Sequence, residues 1–344
     1  MNRLSPRFLG VALVAAALLA APLIFSQEQY LLRVVTVAVI YAIAAYGMNI
    51  ILGLTGQLSL AHGAFFGIGA YMVGLLTTDY DWPFWSAFGV AILATAIGGY
   101  LAGLIALRTQ GAYFAIFTMA IGFIVFITVT RWESVTHAHS GVSGVKFPEN
   151  IGPIDFAEPT VFYYFVLLLL AAAVYATHAL LRSNAGRSLV AIRTSEDLAK
   201  SIGVNVAVSK QLAFTASTTI AGLAGGLFAS LNGFIGPDST GIDRTFEFLL
   251  FLLIGGMGTV MGPLIGSLLV AFLFEMLQDL QTYRFIVLGP IIVLLVIFAP
   301  RGIIGYLNGM IPARWRRSEG EPPGPPAAPV SADSTSTSIT KEGL

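Results

Sequence analysis

Residues 160–181 read TVFYYFVLLLLAAAVYATHALL, without a single Asp, Glu, Lys or Arg, and Arg182 follows at once. A helix that crosses a bilayer needs about 20 mainly apolar residues, because the hydrocarbon layer is about 30 Å thick. The stretch meets that requirement on every face. Similar runs lie outward from it at 8–25, 34–52, 60–77, 85–107, 111–130 and 211–231. Two more, 246–260 and 262–277, are split by Gly255, Gly256, Gly258 and Pro263, and a last run, 284–299, is closed by Pro300. The pattern predicts an all-α polytopic membrane protein of about ten transmembrane helices. The split pair reads either as two short helices or as a broken, re-entrant segment, which a membrane tolerates where protein buries it.

Composition agrees. Charged residues make up 10% of the 344 and hydrophobic residues 56%, with a mean hydropathy of +0.82. A soluble domain carries about 25% charged residues. The 18 basic and 18 acidic residues cancel, which argues against a nucleic-acid partner, since that needs a basic face. Absence of cysteine excludes disulfides, thiolate metal sites and cysteine nucleophiles. The first run also resembles a signal peptide, with Arg3 and Arg7 before a short apolar stretch. Pro22 and the bulky residues after it favour a retained helix.

Ten crossings with the N-terminus inside sort the charges. The inner side receives Arg3, Arg7, Arg108, Arg182, Arg187, Arg193, Lys200, Lys210, Arg301, Arg314, Arg316, Arg317 and Lys341. The outer side keeps Arg33, Arg131, Lys146, Arg244 and Arg284. Thirteen against five satisfies the positive-inside rule and places both termini in the cytoplasm. Six acidic residues fall inside and twelve outside, so the zero net charge is a cancellation across a membrane. Residues 1–311 form the membrane domain, with an inner loop at 182–210 and an outer loop at 131–159. Residues 312–344, rich in Pro, Ser, Thr and Glu, read as a disordered tail.

The inner loop carries the clearest local signal. Thr194 suits an N-cap, Asp197 follows three residues on, and Gly203 suits a helix stop, which predicts a short helix over 195–202. Polar residues at membrane depth face a cavity or a partner. Asn49, Thr55, Gln57, Ser59 and His62 are such residues, read either as lining a pathway or as structural. Glycines four apart (Gly63 and Gly67, Gly99 and Gly103, Gly222 and Gly226) suit close helix packing.

Enzymatic readings find little. No Gly-Lys pair occurs, so there is no phosphate loop for ATP hydrolysis. His137 and His139 lack a third metal ligand. Gly141-Val-Ser143-Gly144 matches the Gly-x-Ser-Gly of rhomboid-type intramembrane proteases. Ser143, however, falls in a polar loop and His178 belongs near the opposite face. A secondary transporter would need intramembrane charge pairs, and Glu275 and Arg284 both fall near a helix end.

Several ordered blocks resemble one family. They are YGMNIILGLTGQLSLAHGAFFGIGAY (46–71), LRTQGAYFAI (107–116), SGVSG (140–144), GRSLVAIR (186–193), GVN (203–205), AGLAGG (221–226), IGGMGTVMGP (254–263) and PRG (300–302). From about Tyr30 to Tyr306 the chain resembles the permease subunit of a bacterial ABC importer of the branched-chain amino acid (LivM) type. The resemblance implies an importer permease bundle and a pairing with a second permease subunit. Two ABC ATPase subunits would bind the ATP and Mg, leaving no cofactor in this chain. A substrate-binding protein would deliver branched-chain or other hydrophobic amino acids, with urea, short amides or small carboxylates as alternatives. It also implies a cytoplasmic coupling helix with the pattern Glu-Ala-Ala-x3-Gly. The match here is partial, Asp197-Leu-Ala199-x3-Gly203, and it assigns ATPase contact to Glu196, Asp197, Ala199 and Gly203.

Overall fold

The computed structural model describes residues 6–25, 28–276 and 302–303. The expected run 284–299, Arg284 and the tail 312–344 lie outside the described residues. The helices are α1 (Pro6–Ile24), α2 (Gln29–Met48), α3 (His62–Thr78), α4 (Phe84–Ala106), α5 (Ala112–Arg131), α6 (Glu133–Thr136), α7 (Pro159–Arg182), α8 (Asn184–Thr194), α9 (Glu196–Ser201), α10 (Val206–Asn232), α11 (Ile242–Gly255) and α12 (Gly262–Met276). α2 continues into one π-helical stretch, Asn49–Leu54. Two short strands, β1 (Val142–Ser143) and β2 (Phe234–Ile235), pair antiparallel.

Among the described residues, five helices are long and apolar enough to cross a membrane: Gln29–Leu54, α4, α5, α7 and α10. The runs expected at 60–77, 246–260 and 262–277 give shorter helices of 17, 14 and 15 residues. α3 is short because residues 56–61 stay non-helical and the helix starts only at His62. The split pair is two helices, α11 and α12, joined through 256–261. Gly256 and Gly258 there have φ of +118° and +74°, a left-handed region that costs a non-glycine residue about 1 kcal/mol or more.

α2, α3 and α10 form the centre, with α12 and α7 against α2 and α4 against α3 and α10. In the most apolar window of each, 89% of α2 with its π-helical extension is buried, but only 22% of α5 or α7. The outer helices therefore present Phe123, Ile124, Leu168 and Tyr175 outward, as suits a lipid or partner-facing wall. Backbone contact explains the glycines at the centre. A Cβ on Gly69 would fall 2.0 Å from the Gly222 carbonyl oxygen, and one on Gly225 would fall 1.8 Å from that of Phe66. α3 and α10 thus touch at their backbones, a packing mode of membrane helices.

The 131–159 connection is ordered by specific bonds. The Glu149 carboxylate accepts from the Phe84 amide at 2.7 and 2.9 Å, capping α4. β1 joins β2 with Val142 opposite Ile235. Because α7 runs between this connection and α8, the two lie at opposite ends of the bundle.

Candidate functional site

Serine and asparagine caps set the helix pair α8–α9. Ser183 Oγ accepts from the Gly186 amide at 3.1 Å, Ser195 Oγ from Leu198 at 3.3 Å, and Asn205 Oδ1 from Val208 at 3.2 Å. The expected cap at Thr194 is corrected by one residue. α8 continues through Thr194, whose hydroxyl returns to the Val190 carbonyl at 3.1 Å, so Ser195 becomes the first residue free to cap α9. Gly203 ends the turn at φ +87°.

The four residues assigned to ATPase contact divide by face. Asp197 is exposed, with 97% of its side chain accessible, and Gly203 is exposed too. Ala199 is buried at 1%. Glu196 turns inward, accepting from Lys210 Nζ at 2.5 Å and from Gln110 Nε2 at 3.0 Å. Ala199 and Glu196 are three apart and share a helix face, so the outward face carries Asp197 with Leu198 and Ile202, exposed at 62% and 68%. Sequence reading missed those two apolar residues, although helical periodicity separates them from Ala199.

The polar residues of 49–62 are all buried. Asn49 bridges two breaks in the helices: its Oδ1 accepts from the Gly258 amide at 2.8 Å, and its Nδ2 donates to the Thr259 carbonyl at 3.1 Å. The Tyr46 hydroxyl donates to the Val260 carbonyl at 2.5 Å. Thr55 Oγ1 donates to the Ile51 carbonyl. Gln57 is enclosed, and its Oε1 has no hydrogen-bond partner among the described residues.

Ser59 and His62 belong to a chain of bonds. Ser59 Oγ lies 3.1 Å from His62 Nδ1, His62 Nε2 lies 2.6 Å from Ser217 Oγ, and Ser217 Oγ donates to the Gly47 carbonyl at 2.6 Å. A hydroxyl has one proton, and Ser217 gives it to Gly47. His62 Nε2 is then the donor toward Ser217. Ser217 stands near the middle of the 27-residue α10, so α3 begins deep in the bundle.

A cavity of about 600 Å³ opens between α5 and the start of α11. Met119, Phe123 and Phe126 supply apolar wall, and Leu60, Asp238, Asp243 and Thr245 line the rest. Asn49, Thr55, Gln57, Ser59 and His62 do not line it. Thr245 Oγ1 accepts from the Gly63 amide at 2.8 Å, which ties this wall to the start of α3, next to His62. Arg244, counted from sequence as a charge of an outer connection, instead sits inside α11. It donates to Glu247 at 2.6 Å and to the Tyr41 hydroxyl at 2.7 Å. Its guanidinium lies 5.2 and 5.5 Å from the ring centres of Tyr41 and Phe228.

The rival readings find no site. Ser143 lies on β1, paired with Phe234, not at the top of a helix. His137 Nε2 is 2.9 Å from Asp79 Oδ2, and no cluster of three His, Cys, Asp or Glu occurs among the described residues. Glu275 accepts from the Tyr30 hydroxyl.

A bundle of apolar helices, broken where its polar residues lie and fitted at one end with an exposed short-helix pair, has the build of a multi-pass membrane protein. Residues 30–315 match the model of one family, the permease component of the branched-chain amino acid transport system, and the chain belongs to it. It is 30% identical over 331 residues to the high-affinity branched-chain amino acid transport system permease protein LivM of Escherichia coli (strain K12), covering 90% of this chain and 78% of the relative. It is 24% identical over 306 residues to the permease protein BraD of the same kind of system in Pseudomonas aeruginosa, covering 83% and 97%. The autoinducer 2 import system permease protein LsrC of Enterobacter sp. (strain 638) is 27% identical over 278 residues, covering 79% and 77%. No solved structure matches the chain. Membership makes the chain a transport subunit and not an enzyme.

Proposed function

We propose that this chain is one of two permease subunits of an ATP-driven importer that carries branched-chain or other hydrophobic amino acids across the bacterial plasma membrane. The outward face of α9 carries this reading. Asp197, Leu198 and Ile202 project from a helix whose other face is locked to the bundle by Glu196 and Ala199. Exposed apolar residues beside an acid, on a short rigid helix, suit docking into a partner subunit. Gly203 lets the chain turn back into α10. The partner ATPases supply ATP and Mg, and a binding protein delivers substrate at the opposite end, beside the 131–159 connection.

In this reading residues 1–311 are the permease domain with about ten crossings, and 312–344 are a cytoplasmic tail. Both termini are cytoplasmic in this reading, which the charge asymmetry supports. The translocation pathway runs past the cavity beside α5 and α11, with Asn49, Thr55, Gln57, Ser59 and His62 holding its wall. The apolar side formed by Met119, Phe123 and Phe126 suits an aliphatic side chain better than urea, a short amide or a small carboxylate.

Uptake of labelled leucine into proteoliposomes containing this permease, its partner permease, both ATPases and the binding protein tests the proposal. Uptake is expected only with ATP. Uptake that persists without the ATPases would make the chain a secondary transporter.

A further inference from the structure

Arg193 ends α8, one residue short of its last, and remains exposed as a residue. Its head nevertheless reaches into the bundle, where Nη1 donates to the Gly53 carbonyl at 2.6 Å. Gly53 lies in the last turn of the π-helical stretch Asn49–Leu54. Carbonyls at a helix end lack intrahelical donors and gather partial negative charge, so a guanidinium is a fitting partner there.

Three glycines make the room. A Cβ on Gly56 would fall 3.0 Å from Arg193 Cγ. A Cβ on Gly258 would fall 3.1 Å from Arg193 Nη1 and 3.0 Å from the Gly53 carbonyl oxygen. A Cβ on Gly53 would fall 2.8 Å from the Gly258 amide nitrogen. Arg193 therefore stands where two breaks meet, the end of the π-helical stretch and the α11–α12 connection. The breaks are already joined to each other by Asn49 and by Tyr46. On its other side Arg193 is followed within three residues by Glu196, the residue through which Lys210 anchors α9.

We propose that Arg193 is a positioning residue that ties the α8–α9 pair to both helix breaks, so that displacement of α9 moves the π-helical end and the 256–261 connection together. This rests on the importer reading, in which α9 receives the movement. Residues at the ends of elements are natural hinges, and one cation held by the carbonyl of one break, packed on the glycine of the other, gives them a common handle.

The test uses the assembled transporter in proteoliposomes and Arg193→Ala. ATP hydrolysis is expected to stay within about twofold of wild type, because α9 keeps its outward face, while uptake per ATP falls about tenfold, the usual size of a coupling between two sites. Arg193→Lys keeps a cation for the Gly53 carbonyl and should recover part of the lost uptake, which a loss of folding would not permit. Hydrolysis and uptake falling in equal proportion, or neither changing, would overturn the proposal.

A second arm needs neither ATPase nor transport. The chain has no cysteine, so a nitroxide on Met257→Cys reports on the 256–261 connection alone. In purified permease, Arg193→Ala should raise its mobility while leaving a label on Ser86→Cys, at the far end of α4, unchanged. An unchanged spectrum at 257 would refute the tie. If wild type itself shows no ATP-dependent uptake but the label responds, the importer reading fails and the tie stands.

Discussion

Lys210 and Glu196 meet at 2.5 Å although 14 residues separate them, and the Lys210 side chain is only 3% exposed. Glu196 keeps 22% exposure and two further neighbours, Gln110 and Lys200. The pair is thus asymmetric. Glu196→Ala leaves a buried ammonium without its carboxylate and should destabilise by about 3 kcal/mol, near the lower end for breaking a buried pair. Lys210→Met puts an apolar chain into an apolar place while Glu196 stays partly hydrated, so about 1 kcal/mol is expected. Thermal unfolding of both variants checks the order; equal losses would contradict it.

The two faces of α9 should respond differently to mutation. Leu198→Ala and Ile202→Ala remove exposed apolar groups, and most surface changes shift stability by no more than about 0.5 kcal/mol. Thermal unfolding of the permease should hardly move, while retention of the ATPases during purification falls. Ala199→Leu overfills a buried position, which costs about 1–3 kcal/mol, and should lower the unfolding temperature. ATPase retention unchanged in the Leu198 and Ile202 variants would remove α9 from the docking surface.

Glycine substitutions separate contact from propensity. Gly225→Ala sets a methyl 1.8 Å from the Phe66 carbonyl oxygen, backbone that cannot rotate away, so α3 and α10 must part. A loss of about 3 kcal/mol or more is expected, comparable to severe overpacking. Gly89→Ala, on α4, meets nothing within 4 Å and should be neutral or gain up to about 1 kcal/mol from helix propensity. Expression and thermal unfolding of the two alanine variants make the comparison. Similar behaviour would mean that the backbone contact between α3 and α10 is not held in the membrane.

Much of this architecture could be read in the chain. Apolar length marked the helices: 160–181 became Pro159–Arg182 and 85–107 became Phe84–Ala106. Glycine spacing marked close packing, and Gly203 marked the end of α9. The limits were set by sequence separation. Arg193 and Lys210 counted as two more inner positive charges, and nothing local says that one reaches Gly53, 140 residues away, or that the other is buried on Glu196. Asn49 and His62 stood out as polar residues among apolar ones. Only the fold reveals that their partners are the backbone at 258 and 259 and the Ser217 hydroxyl. The cap at Thr194 was misplaced by one residue because Thr and Ser cap almost equally well. How far α8 extends decides between them, and it runs through Thr194.

Arg244 is a final case in which burial decides the outcome. Its side chain is 17% exposed and that of Glu247 is 9% exposed, with 2.6 Å between them. Water screens such a pair poorly, so its loss should cost more than that of a surface pair. The two ends are again unequal. Glu247→Gln leaves the guanidinium its bond to the Tyr41 hydroxyl and its place over the Tyr41 and Phe228 rings. Stacking of this kind is worth about 2 kcal/mol when desolvated. Arg244→Met takes this cation away from Glu247 inside α11 and loses both ring contacts as well. It should destabilise clearly more than Glu247→Gln, by at least the roughly 2 kcal/mol of the lost stacking. Arg244→Lys should fall between, since an ammonium keeps the charge and its donors but lacks the planar face that lies over the two rings. Thermal unfolding of the three variants in detergent tests the ranking. An Arg244→Met protein as stable as Glu247→Gln would mean that the pair is hydrated in the membrane.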